Sequence, residues 1–139
     1  MYSGGTLRPA LFLIGYNGDV PDALKPLRWI GSAKKDLLAM PEGVQQVFGF
    51  ALFQAQIGQM HLAAKPLKGF GSAGVVEIVE DWRGNAYRAV YTVRFAGAVY
   101  VLHCFEKKSK HGIETPKREM DLIRIRLKEV EAQALGVER

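Results

Sequence analysis

The stretch that decides the fold reads Tyr87-Arg88-Ala89-Val90-Tyr91-Thr92-Val93-Arg94-Phe95, turns around Gly97, and continues Val99-Tyr100-Val101-Leu102-His103-Cys104-Phe105 into Glu106-Lys107-Lys108. Two runs rich in β-branched and aromatic residues, joined by a short turn containing Gly, specify a β-hairpin. Side chains alternate across a strand, so Arg88, Val90, Thr92 and Arg94 are expected on one face, and Tyr87, Ala89, Tyr91, Val93 and Phe95 on the other. Charge on a strand face is costly unless that face meets a partner.

Working upstream, Val75-Val76-Glu77-Ile78-Val79-Glu80 is a further strand, with Val76 and Ile78 on one side and Val75, Glu77 and Val79 on the other. Asp81 to Ala86 form the turn between this strand and the hairpin. Leu27-Arg28-Trp29-Ile30 is a short strand candidate. Ser32 follows at an N-cap position, ahead of a helix over Ala33 to Leu38. Pro41 ends that helix and opens a second, in which Val44, Val47, Phe48, Ala51, Leu52 and Ala55 share one face and which Gly58 closes. Downstream, Thr115-Pro116 starts a helix whose stripe is Met120, Ile123, Leu127, Val130 and Ala134; Arg124, Arg126, Lys128, Glu129 and Glu131 form its charged side. The order is strand, helix, helix, three antiparallel strands, helix: an α+β fold with a small, mostly antiparallel sheet, two N-terminal helices packed on one face and a C-terminal helix. Residues 1–26, rich in Gly and Pro, read as an irregular N-terminal extension, with Leu11 to Ile14 as their only apolar run; 27–135 form the domain and 136–139 a tail.

At 139 residues the chain is long enough to bury a core without staples. Lys and Arg number 19 against 14 Asp and Glu, a net charge of +5 that favours an anionic partner such as nucleic acid. The excess concentrates at Lys107, Lys108, Lys110, Lys117 and Arg118, although a solvated surface tuned for solubility gives the same balance. The single cysteine, Cys104, forms no internal disulfide, and no residue set has zinc-ligand spacing, so neither a metal nor a cofactor is expected. The apolar run at Leu11 to Ile14 is too short for a signal-peptide core or a bilayer span. The expectation is a cytoplasmic protein with no membrane contact.

The Tyr87-Arg88-Ala89-Val90-Tyr91 segment, the strand ending Phe105-Glu106-Lys107-Lys108, the Thr115-Pro116 helix start, the loop Lys65-Pro66-Leu67-Lys68 and the Val-Glu-Ile strand together resemble the RelE/ParE toxin superfamily. The nearest likeness is to its phage-derived, HigB-like branch, over about Leu27 to Glu131. The resemblance implies the toxin of a type II toxin-antitoxin system, held by a small helix-turn-helix antitoxin and cleaving mRNA on the ribosome. ParE members of the same fold inhibit DNA gyrase instead, so a non-catalytic binding protein, either such an inhibitor or a degenerate toxin serving as antitoxin partner and co-repressor, is the alternative.

Metal-free RNA cleavage needs a base for the 2′-hydroxyl, cations for the phosphorane and an acid for the leaving oxygen. Arg88 matches the arginine of the family's Tyr-Arg motif, which contacts the scissile phosphate in RNase members; the plainer reading is an ion pair with Glu77 or Glu80. Lys107 and Lys108 match a basic pair at the strand end, only one of which can face the cleft. The resemblance places basic residues on the strand that holds Glu77 and Glu80, so Glu77 is read as base or as ion-pair partner. His103 is either an imidazole for proton transfer or a satisfied interior residue. Lys65, Lys68, Arg83, Arg94 and Lys110 are the candidates for holding the RNA backbone. Tyr87 and Tyr91 point to the helix-covered side and read as core.

Overall fold

The structure, a computed structural model, describes residues 24–71, 73–107 and 115–136. The segment Leu11 to Ile14, Lys108, Lys110 and most of the proposed tail lie outside the described residues.

In chain order the elements are β1 (Leu27–Trp29), α1 (Ala33–Leu38), α2 (Glu42–Gln56), β2 (Lys65–Pro66), β3 (Val75–Trp82), β4 (Asn85–Thr92), β5 (Val99–Lys107) and α3 (Lys117–Ala134). The five strands form one sheet in the order β1-β5-β4-β3-β2. All its pairings are antiparallel except that of β1 with β5, where Leu27 sits beside Val99 and Trp29 beside Val101. The expected α+β architecture is present, including the mostly antiparallel sheet and the C-terminal helix.

Alternation in the strands divides the core into two layers. Val76, Ile78, Ala89, Tyr91, Val101 and Cys104 meet Leu37 of α1 and Val44, Phe48 and Leu52 of α2. On the other face, Val75, Val90, Leu102 and Phe105 meet Ile123, Leu127 and Val130 of α3. Tyr87 and Tyr91 are in the first layer, as expected of core residues, and burial pushes the Tyr91 phenol up to about 12. The face that carries Arg88 is therefore covered, by α3.

Two glycines are needed by the packing. Gly31, at φ +56°, turns the chain from β1 into α1, and a Cβ there would lie 2.8 Å from the Arg126 guanidinium. Gly43, in the first turn of α2, lies flat against the Trp82 ring, where a Cβ would overlap it.

Several local readings need correction. The turn between β3 and β4 is only Arg83-Gly84, both at positive φ, because Trp82 pairs with Asn85 and Asp81 with Ala86. Two-residue hairpin turns of this hand match the strand twist, so polar Asp81 and Asn85 remain in the ladder. β4 stops at Thr92, whose hydroxyl accepts from the Arg94 N–H at 3.2 Å, so alternation does not carry through to Arg94. Ser32 occupies the N-cap position of α1, yet its hydroxyl donates to Asp36 Oδ2 at 2.7 Å rather than accepting from the helix backbone. On α3, Arg126 is buried and Ala134 is exposed, the reverse of the expected stripe.

Candidate functional site

The α3-covered face gathers the polar residues of the central strands. Arg88 on β4 stands between Val79 of β3 and Phe105 of β5. Its Nη1 donates to Glu77 Oε1 at 2.9 Å and to Thr115 Oγ1, just ahead of α3, at 3.4 Å. Arg88 is 4% exposed and Glu77 7%, so the two charges sit in a low-dielectric setting where each requires the other. Lys107 pairs with Ala86 at the end of β5, two residues beyond Phe105, and so shares the face of Arg88. It is buried as well. Of the two lysines expected to close the strand, Lys107 lies on the sheet face of the arginine, and Lys108 is outside the described residues.

His103 reaches the same face through a break in alternation. Val90 pairs with His103 and Tyr91 with Val101, leaving Leu102 as the extra residue of a β-bulge. The bulge turns both Leu102 and His103 toward α3. Arg126 of α3 donates to Leu102 O at 2.9 Å and bonds His103 Nδ1 at 3.3 Å, while its Nη2 donates to Ser32 Oγ at 3.2 Å. Because a guanidinium can only donate, Nδ1 is the acceptor and the ring proton sits on Nε2. Nε2 donates to Glu119 Oε1 at 2.6 Å. Burial is the largest influence on this imidazole and pushes its pKa down; Glu119 pulls it up and Arg126 pushes it further down. The ring also stacks on Phe105, with centroids 4.7 Å apart. A chain of bonds thus runs from Asp36 on α1 through Ser32, Arg126 and His103 to Glu119 on α3.

The remaining candidates are dispersed. Arg94 sits beyond the far end of β4 from Arg88 and pairs with Glu131 of α3 at 3.0 Å, both about two-fifths exposed. Arg83 lies at the β3–β4 turn, 5.7 Å from the Trp82 ring centroid. Lys65 pairs in register with Glu77 on the edge strand β2, and its neighbour Lys68 is also exposed. The loop they occupy leans on α3, where the Arg124 guanidinium lies over the Phe70 ring. The fold brings together Arg88, Glu77, Lys107 and His103, and it leaves Arg83 and Arg94 at opposite ends of the sheet.

Sequence reasoning missed Arg126, Glu119, Ser32 and Asp36 as members of the polar network. The signal was present on α3: Glu119, Ile123, Arg126 and Val130 follow one another at helical spacing, so Arg126 belongs to the buried stripe. A charged residue there implies a buried acceptor, here the carbonyl exposed by the bulge.

Among the described residues, no group of three or more His, Cys, Asp and Glu is placed to hold a metal ion, and no helix is long and apolar enough to cross a membrane. No curated protein and no solved structure matches the chain. Residues 35–128 match the family described as phage-derived protein Gp49-like (DUF891).

Proposed function

Since the chain belongs to the phage-derived Gp49-like family, a family of RelE/HigB-like toxin type, we propose that it is the toxin of a type II toxin-antitoxin system and cleaves mRNA on the ribosome. The observation that carries this reading is the placement of Arg88 and Lys107 on one sheet face, with Glu77 held against the guanidinium at 2.9 Å. An arginine held by a carboxylate is preformed for a phosphate, which presents the same paired oxygens. In the proposed reaction the scissile phosphate takes the place of Glu77 at Arg88. The released carboxylate then accepts the 2′-hydroxyl proton as that oxygen attacks phosphorus; the P–O5′ bond breaks, the product is a 2′,3′-cyclic phosphate, and the leaving 5′-oxygen takes its proton from water. Lys107 offsets the charge of the phosphorane. His103, with both nitrogens committed, holds α3 rather than moving protons. Lys65, exposed beside Glu77, and Lys68, exposed in the loop after β2, bind the RNA backbone. A helix-turn-helix antitoxin is the proposed protein partner, and the cytoplasm the proposed compartment.

Burial favours a second reading. With Arg88 only 4% exposed and ion-paired, the face serves α3 packing, and the chain is a non-catalytic binding protein of the same fold, such as a gyrase inhibitor or a co-repressor. Induction of the wild type and of Arg88→Ala, followed by mapping of transcript 5′-ends and of plasmid supercoiling, separates the two. The nuclease reading expects new 5′-ends with the wild type that disappear with the variant. Cleavage that survives Arg88→Ala removes Arg88 from the chemistry, and altered supercoiling without new ends favours the second reading.

A further inference from the structure

An open groove of about 650 Å³ runs between α1 and α3, along β5 from His103 to Glu106. Its sign is opposite to that of the chain. Three carboxylates reach it from three elements: Asp36 from α1, Glu106 from β5 and Glu119 from α3. Asp36 accepts from the Ser32 hydroxyl and Glu119 from the His103 ring, so each carboxylate is held in place by a donor of its own. Glu106 has no ion pair among the described residues. Asp121 also lines the groove but is matched by Lys117 at 2.9 Å and Arg124 at 3.5 Å. The cation in the lining is Arg118.

The walls beside these carboxylates are apolar. Met40 and Tyr87 stand on one side, Leu122 and Ile125 on the other, and Ile125 is 57% exposed, unusual for a large aliphatic residue on a helix that packs so many others inward. β1 pairs with β5 only as far as Val101, so beyond that point no described strand covers this side of β5. The open trough therefore follows an extended backbone.

We propose that this groove docks an extended segment of a partner protein in which an Arg or Lys is flanked by apolar side chains. The cation is met by Asp36, Glu106 and Glu119, and the flanking apolar groups cover Leu122 and Ile125. Charge complementarity selects this occupant over RNA, which the three carboxylates repel. The proposal goes beyond the nuclease reading and stands without it, since neither Arg88 nor Glu77 nor Lys107 lines the groove.

The test uses the full chain and two short fluorescein-labelled peptides, one of repeated Gly-Arg-Leu and one of repeated Gly-Glu-Leu, followed by anisotropy. A chain of net charge +5 disfavours the first peptide on average, so saturable binding of it reports an acidic site. The expected result is saturable binding of the Arg peptide, weakened by salt; the Glu peptide, drawn only to the basic surface, binds equally to the wild type and to the groove variants. Glu106→Lys weakens binding of the Arg peptide by about fivefold, on the scale of one exposed charge contact reversed. Ile125→Ser weakens it by a similar factor without changing the salt dependence. Both side chains are partly or largely exposed, and circular dichroism verifies that each variant is folded. No saturable binding of the Arg peptide, or binding of it unchanged in both variants, overturns the proposal. So does an RNA oligonucleotide whose binding is abolished by Ile125→Ser.

Discussion

The buried pair Glu77–Arg88 allows a quantitative test of how α3 is seated. The side chains are 10% and 5% exposed and joined at 2.9 Å, so removing either partner leaves the other charge in a dry site. Such an uncompensated charge costs about 3–5 kcal/mol, whereas replacing both members with apolar residues of similar volume is often neutral or stabilising. Glu77→Leu and Arg88→Met are each expected to lose about 3–5 kcal/mol, Glu77→Leu near the lower limit because Thr115 offers Arg88 a further acceptor at 3.4 Å. The double variant is expected within about 1 kcal/mol of the wild type, a coupling of several kcal/mol between the two positions. Urea unfolding followed by circular dichroism measures this, with a constant m-value as the check that the unfolded state is unchanged. If each single change costs under about 1 kcal/mol and the two add, the pair is solvated and α3 does not seal this face. The double variant also serves the functional question, because it folds without a guanidinium at position 88. Transcript cleavage by it would refute the phosphate role proposed for Arg88 independently of stability.

Three other outcomes are expected. His103 has its pKa held below the ordinary 6.5, so from about that pH downward the unfolded chain binds more protons than the folded one, and stability falls with acidification until the folded ring also titrates; the urea midpoint should drop between about pH 7 and pH 5 in the wild type and much less in His103→Gln. Gly43→Ala places a methyl against the Trp82 ring and should cost about 1–3 kcal/mol, read from the urea midpoint together with a changed tryptophan emission. Arg83, at φ +51° ahead of Gly84, is in a turn that favours Asn-Gly, so Arg83→Asn should stabilise by roughly 0.5–1 kcal/mol and raise Tm by a few degrees; an unchanged or lower Tm would show that the contact with Trp82 outweighs the backbone strain.

Much of the fold was legible because it follows local periods. Val76 and Ile78 alternate with Val75 and Glu77, and the stripe Val44, Phe48, Ala51, Leu52 and Ala55 of α2 is buried as its spacing requires. Failures occurred where a local period ends or breaks. Arg94 was expected beside Arg88, but the strand stops at Thr92. The bulge at Leu102 changes which way His103 points, and nothing in Val101-Leu102-His103-Cys104 marks where the extra residue falls. Arg126 was assigned to the solvent side of its helix by its charge, although its spacing from Ile123 and Val130 belongs to the buried side.

By itself, then, the sequence determined the elements and their order except for the edge strand β2 at Lys65–Pro66, which reads as loop in the sequence, together with the antiparallel hairpins and the identity of the charged residues on the central strands. Only the tertiary structure decided what those charges meet. Glu77 lies 11 residues from Arg88, and Ser32 lies 94 from Arg126; whether such pairs form depends on strand register and on which face α3 covers, and no local period encodes either. The arginine that periodicity placed on a strand face is there, and packing closed α3 over it, so that the charge meets a carboxylate of the same chain.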